Sequence, residues 1–225
     1  MADPANAVPR TVLGIDPGLT RCGLGIVQGP DHRPRVVHHE CVRTAPDLPI
    51  ERRLLAVQEA IEAAIATYRP DAVAVERVLF SSNVRSAMAT GQAAGVALVA
   101  AARAGLAVTA YSPNEVKQTV AGTGNADKAA VGRLVAAQLG LAEVPRPADV
   151  ADALAVALTH LARSRLPAQV QGTAAAADLA DAHRAADTAA RGGWEAVLGD
   201  RLPPANTPSS SRHRARPARR AGGRP

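Results

Sequence analysis

Twice in its first 76 residues the chain drives a short apolar run straight into an acid. Val12 to Ile15 ends at Asp16, where Pro17 and Gly18 signal a turn, and Ala72 to Val75 ends at Glu76. Two further acids, Asp149 and Asp152, stand three apart at the start of an alanine-rich helical pattern, so they share a face there. An ionised carboxylate at the edge of a core is costly unless a cation offsets it, and a pair of divalent metal ions would do so. Each acid also has a quieter reading. Asp16 serves as a turn residue, Asp149 as a helix cap, Asp152 as a first-turn acid favoured by the helix dipole, and Glu76 as a rim charge. A chance arrangement of all four is much harder to accept than any one of these.

The order of elements decides whether the four can meet. Val12 to Asp16, Arg21 to Gln28 and Val36 to Arg43 read as three strands joined by short turns, hence an antiparallel meander. Ile50 to Tyr68 carries Leu54, Val57, Ile61 and Ile65 at the spacing of one helical face. Ala72 to Val75 makes a fourth strand, Ser81 or Ser82 caps a long helix through Ala102, and Leu106 to Tyr111 makes a fifth strand. In that long helix, Gly91 and Gly95 allow close approach of a neighbouring element. Ser112-Pro113-Asn114-Glu115 combines a capping residue, a first-position proline and a glutamate three on, which marks a helix start. The loop Gly122 to Asn125 separates that helix from another over Ala126 to Leu139, and a last one runs from Ala148 to Ser164. The sum is an α/β fold, a mixed five-stranded sheet with helices on its faces. If the first and fourth strands are parallel neighbours, Asp16 and Glu76 emerge at one edge of the sheet, and the last helix start can bring Asp149 and Asp152 to them.

Among 26 Lys and Arg only Lys117 and Lys128 are lysines, and they flank the Gly122 to Asn125 loop. A compact ammonium is a point charge suited to a scissile phosphate or an attacking water, whereas a guanidinium is a flat fork. Together with the acids, this points to a metal-dependent nuclease. The net charge of +6 does not describe the folded body: Arg201 to Pro225 holds seven Arg and no acid, leaving residues 1–200 near −1. Such a tail cannot bury apolar surface, so the expectation is disorder, with a salt-sensitive attraction to nucleic acid as one use for it. Three segments are expected: a flexible N-terminus over 1–10, a nuclease domain over 11–165, and an Ala-rich, then Arg/Pro/Ser-rich, disordered extension over 166–225. Thr173 to Ala190 could form a helix with a weak alanine face outside the core. No apolar run reaches the roughly 18 residues of a membrane span, and Met1 to Arg10 lacks the layout of a secretion signal, so the protein is expected in the cytoplasm. Cys22 and Cys41 fall in neighbouring strands and read as two buried thiols rather than a disulfide.

The residues also resemble a family. Val12-Leu13-Gly14-Ile15-Asp16-Pro17-Gly18 followed by Gly23-Leu24-Gly25 resembles the opening of the RuvC crossover junction endodeoxyribonucleases. Ala74-Val75-Glu76-Arg77-Val78 is similar to their second acidic motif, and Gly91-Gln92-Ala93-Ala94-Gly95 to their long helix. Val116-Lys117-Gln118-Thr119-Val120 through Lys128 is similar to their lysine segment, and Ala148 to Ala155 to their closing acidic helix. The matches run in order over about residues 11–165. The resemblance implies a ribonuclease H-like fold, a homodimer, and symmetric nicking of a four-way DNA junction, the Holliday junction, in recombination and repair. It implies that Asp16, Glu76, Asp149 and Asp152 hold two Mg²⁺, with Mn²⁺ as a substitute, about 4 Å apart. One would activate water and the other stabilise the leaving 3′ oxygen, giving a 5′ phosphate. Lys117 and Lys128 carry over as DNA-contacting or catalytic-support residues, and the RuvA-RuvB branch-migration complex as a partner. The family places a base-stacking aromatic where this chain has Leu79. Phe80, one step later, is the candidate wedge, a role worth about 1–3 kcal/mol per base, or else a staple on the following helix. Arg77 and Arg85 are candidate phosphate contacts. Two rivals remain from the residues alone: a junction-binding protein without catalysis, and an actin-like or sugar-kinase ATPase. The latter needs two such domains, which 225 residues with a disordered tail do not accommodate.

Overall fold

A computed structural model of the chain describes residues 11–29, 33–77 and 84–164. All of them belong to the first of two units into which the chain divides, Met1–Gln171; the second, Gly172–Pro225, lies wholly outside them. The expectations for residues 1–10, for Ser81 and Ser82 as caps, and for 166–225 therefore fall outside the described residues.

The elements are β1 (Thr11–Asp16), β2 (Arg21–Gln28), β3 (Arg35–Arg43), α1 (Ile50–Tyr68), β4 (Ala72–Glu76), α2 (Val84–Arg103), β5 (Ala107–Tyr111), α3 (Pro113–Ala121), α4 (Lys128–Gln138) and α5 (Ala148–Arg163). They build one mixed sheet in the order β3-β2-β1-β4-β5. The first three strands form the antiparallel meander, while β4 lies parallel to β1 and β5 parallel to β4. Ile15 pairs with Val75, so the next residues along the two strands, Asp16 and Glu76, leave the sheet side by side.

Alternation along each strand splits the core in two. Leu13 and Ile15 of β1, Leu24 and Ile26 of β2, and Val73 and Val75 of β4 pack against Val57 and Ile61 of α1 and Ala97, Ala100 and Ala101 of α2. Val12, Val27 and Ala74 face the other way, onto α3, α4 and α5. Asp16 and Glu76 share the parity of Val12 and Ala74, so both point to the α5 side. On the first face Ile61 is fully buried, and Ile61→Ala would leave a cavity costing about 2–5 kcal/mol.

Local chemistry fixes the helix starts. Ser112 Oγ accepts from Glu115 N at 3.3 Å and Ser112 N donates to Glu115 Oε2 at 2.9 Å, the reciprocal capping box that the sequence indicates. Helix α4 begins at Lys128 rather than Ala126, because Asp127 Oδ1 accepts from Ala130 N at 2.7 Å and so makes Asp127 the cap. The cap of α5 is Pro147, which contributes no side-chain hydrogen bond. Asp149 is thus not a cap, and its carboxylate is not occupied by its own helix.

Three glycines on the α5 face of the sheet let that helix down onto the strands. A Cβ on Gly14 would run into Ala153 O and Ala157 N, one on Gly23 into Asp149 O, and one on Gly25 would stand 2.8 Å from Leu154 Cδ2. By contrast, the space around Gly91 and Gly95 of α2 is open. Among the described residues the close approach expected at those two is not made; it is made at Gly14 and Gly23, where backbone meets backbone. Cys22 is buried and Cys41 half-buried, both free thiols. Cys41 is less buried than expected because β3 is an edge strand with alternating exposure.

Candidate active site

The ends of β1 and β4, the stretch of α5 from Asp152 to Val156, helix α3 and the start of α4 line a cavity of about 290 Å³. Its polar lining is Asp16, Glu76, Asp152, Lys117 and Lys128, with Val116, Val131 and Val156 among its apolar walls. Five residues singled out from the sequence thus share one hollow. Asp149 lies beside it, close enough to raise the Asp16 pKa, with its carboxylate turned to Arg21 at 3.2 Å. Asp152 is in the second turn of α5, not the first, so its place is set by the cavity rather than by the helix terminus. Lys128 Nζ sits 2.6 Å from Asp152 Oδ2.

The acids disturb one another. Burial, then the charges of Glu76 and Asp152, a hydrogen bond with Glu76, and the charge of Asp149 push the Asp16 carboxyl from its ordinary 3.8 to about 8. Glu76 is also raised, chiefly by burial, although the hydrogen bond from Asp16 works the other way. Near neutral pH, Asp16 therefore keeps its proton and donates it to Glu76. The Lys128 ammonium is raised, first by its hydrogen bond to Asp152. A cluster in which a carboxyl holds a proton up to about pH 8 has too little positive charge nearby.

Among the described residues no three His, Cys, Asp or Glu side chains converge on one point as metal ligands do. Asp16 is engaged with Glu76, Asp152 with Lys128, and Asp149 with Arg21. The donor set still fits a hard divalent cation, because all its atoms are carboxylate oxygens. The two ion pairs present little resistance: Lys128 is 70% exposed and Arg21 58%, and pairs to such exposed cations are worth about 0–1 kcal/mol.

The remaining expectations separate. Arg77 extends the sheet, its N–H donating to Tyr111 O at 2.7 Å and its guanidinium to Ala110 O at 3.2 Å, so it is spent on β5. Arg85 is exposed on the first turn of α2. Phe80 and Leu79 lie outside the described residues. Sequence reasoning missed Arg21, the partner of Asp149; a lone Arg opening a strand carries no signal that couples it to a helix so far along the chain.

A family model described as "Crossover junction endodeoxyribonuclease RuvC" matches residues 12–160. The chain belongs to the RuvC family. Among curated members, the Crossover junction endodeoxyribonuclease RuvC of Frankia alni is 54% identical over 167 residues, covering 74% of this chain and 85% of its own. That of Salinispora arenicola is 52% identical over 162 residues, covering 70% and 93%. Among solved structures, T. thermophilus RuvC in complex with Holliday junction substrate is 43% identical, with a TM-score of 0.67 over 70% of this chain and 96% of its own. A further Thermus thermophilus RuvC structure gives 0.65 at the same identity, covering 69% of this chain and 96% of its own. The sheet order and the helices on both faces are thus those of a RuvC enzyme, a ribonuclease H-like fold. In RuvC terms, the matched region contains all four acids and both lysines.

Proposed function

We propose that this chain is a structure-specific endonuclease that resolves Holliday junctions by symmetric, metal-dependent nicking of two strands, leaving 5′-phosphate and 3′-hydroxyl ends. The observation that carries this reading is the gathering of Asp16, Glu76 and Asp152, with Asp149 beside them, at one sheet edge under two lysines. Asp16, Glu76, Asp149 and Asp152 would hold two divalent cations, Mg²⁺ or in its place Mn²⁺. Bound there, the cations supply Lewis-acid charge to the phosphoryl oxygens and lower the pKa of water. The chain's own residues do the rest. With cations bound, Asp16 would release to solvent the proton it shares with Glu76 and Lys128 would leave Asp152, so that the ammonium groups of Lys117 and Lys128 would be placed for phosphate oxygens. Phe80, which follows β4 in the sequence, stands in this reading as a wedge, and Arg77 and Arg85 as flanking phosphate contacts, with Arg77 first releasing Ala110 O.

Two strands of like polarity must be cut, so a twofold homodimer is the economical arrangement. Helix α2 supports it: Val84, Met88, Leu98 and Val99 are exposed, and open space surrounds Gly91 and Gly95. The RuvA-RuvB branch-migration complex is the expected partner by family membership. Among the described residues no helix is long and apolar enough to cross a membrane.

The test is nicking of a labelled four-way junction against linear duplex of the same sequence with Mg²⁺, comparing the intact chain with Asp16→Asn. Paired nicks in opposite arms that require both metal and Asp16 are expected. Tight junction binding with no cleavage by either protein would favour the binding-only rival instead.

A further inference from the structure

Next to the acidic cavity is a second, larger hollow of about 830 Å³, between the first half of α4 and the segment that leads into α5. The two share Lys128 and Asp152, so the ion pair between these residues is the partition separating them. Beyond the partition the cleft is walled by apolar groups, Val144, Pro145 and Pro147 among them, and carries Arg43 from the end of β3 and Arg146. Asp152 is the single acid among the described lining residues, and Lys128 already engages it. Among the described residues neither Arg43 nor Arg146 forms an ion pair. Two guanidiniums without carboxylates, set over an apolar wall, make a surface that lacks an anion with a nonpolar body. A nucleotide unit has that composition: a phosphate for the guanidiniums, and a sugar for the wall. The volume lies within the roughly 300–1,000 Å³ of clefts that enclose ligands of such size.

We propose that this cleft is the path of the DNA strand as it leaves the acidic cavity, with Arg43 and Arg146 clamping the backbone phosphates next to the one that is cut. The proposal rests on the nuclease reading and adds residues that the sequence did not single out. Contacts of this kind fix register along the strand and carry no base readout. They should show in the salt dependence of binding, where each phosphate contact contributes about one unit to the slope of log affinity against log salt.

The experiment is binding of the full chain to a four-way junction and to linear duplex in EDTA, where no cutting occurs, over a series of salt concentrations. Arg43→Gln with Arg146→Gln is expected to lower the slope by about two and weaken junction binding on the order of ten-fold at moderate salt. Arg43→Lys with Arg146→Lys should retain most of the slope, and Arg133→Gln, on α4 but outside the lining, should leave it unchanged. A preserved Mg²⁺-induced rise in melting temperature shows that the variants are folded with the acids in place. An unchanged slope in the double glutamine variant, with the parent binding junctions normally, overturns the clamp and leaves the nuclease reading standing. If the parent binds junction and duplex alike, junction specificity fails and the slopes on duplex still decide the clamp. If it binds neither, both fall.

Discussion

Helix α5 carries a polar cluster at each end, and the two are opposites. At its C-terminal end every charge is matched. Glu115 accepts from Arg163 Nη1 at 2.7 Å through one carboxylate oxygen, and from Ser112 N and Oγ at 2.9 and 3.0 Å through the other. Tyr111 Oη meets His160 Nδ1 at 2.9 Å, and the Arg163 guanidinium stands 5.6 Å from the Tyr111 ring centre. At the N-terminal end, four carboxylates have two ion-paired cations between them, both mostly exposed. Burial alone does not mark a working site, since Glu115 is more buried than Asp149 or Asp152. What marks it is the charge left over: a matched buried pair holds elements together, and an unmatched cluster is waiting for something positive.

The contrast can be broken most strongly at the acidic end. Asp152→Asn should slow junction nicking on the order of 1,000-fold, equivalent to about 4 kcal/mol of transition-state stabilisation, while the metal-free melting temperature holds or rises. Steady-state nicking together with calorimetry checks both halves. The next largest effect belongs to the matched end. Glu115→Ala removes the buried carboxylate that both Arg163 and the Ser112 cap bond to and should cost about 3–5 kcal/mol, a fall of roughly 6–20 °C in melting temperature for a domain of this size. Pairing Glu115→Leu with Arg163→Met should recover most of that loss, because both charges of the buried pair are then replaced by apolar groups.

These predictions depend on groups whose visibility in the sequence differs. Asp16 and Glu76 were legible because each ends a continuous apolar run, and because the order of strands and helices allows their strands to be parallel neighbours. Asp149 and Asp152 were legible as a pair by helical spacing, but their division of labour was not. Which one lines the cavity depends on the rotation of α5, and that is set largely by Gly14 and Gly23, whose closest contacts are with backbone atoms and leave no hydrophobic pattern. The Glu115–Arg163 pair was half visible. Its capping role follows from Ser112-Pro113-Asn114-Glu115, but its ion pair joins helices far apart in the chain, and no periodicity records that.

A smaller effect sharpens the comparison through pH. Asp16 is raised from 3.8 to about 8, so its contribution to metal-free stability is full below about pH 4 and is lost as pH rises through about 8. Burial lowers His160 below its ordinary 6.5; its contribution is full above that value and is lost as the solution becomes acid. The two ends of α5 therefore press stability in opposite directions. In EDTA the melting temperature should drop by several degrees between pH 6 and 9, and Asp16→Asn should remove that alkaline drop while leaving the acid side intact. The smallest effect expected is from Arg21→Gln. Its exposed ion pair with Asp149 should be worth under about 1 kcal/mol in the metal-free protein, a change of no more than roughly 2–4 °C.

The glycines beneath α5 have a consequence for how this domain can diverge. At Gly14 and Gly23 the helix rests on the strands through main-chain atoms, which every amino acid has in common. The height of the acids above the sheet is then independent of side-chain size at those crossings. Apolar positions elsewhere on α5 can drift between alanine, valine and leucine as their neighbours compensate, while a single added methyl at either crossing would lift the acids away from Asp16. Tolerance to change here is thus distributed inversely to chemical interest: residues without a side chain hold the reacting groups in place.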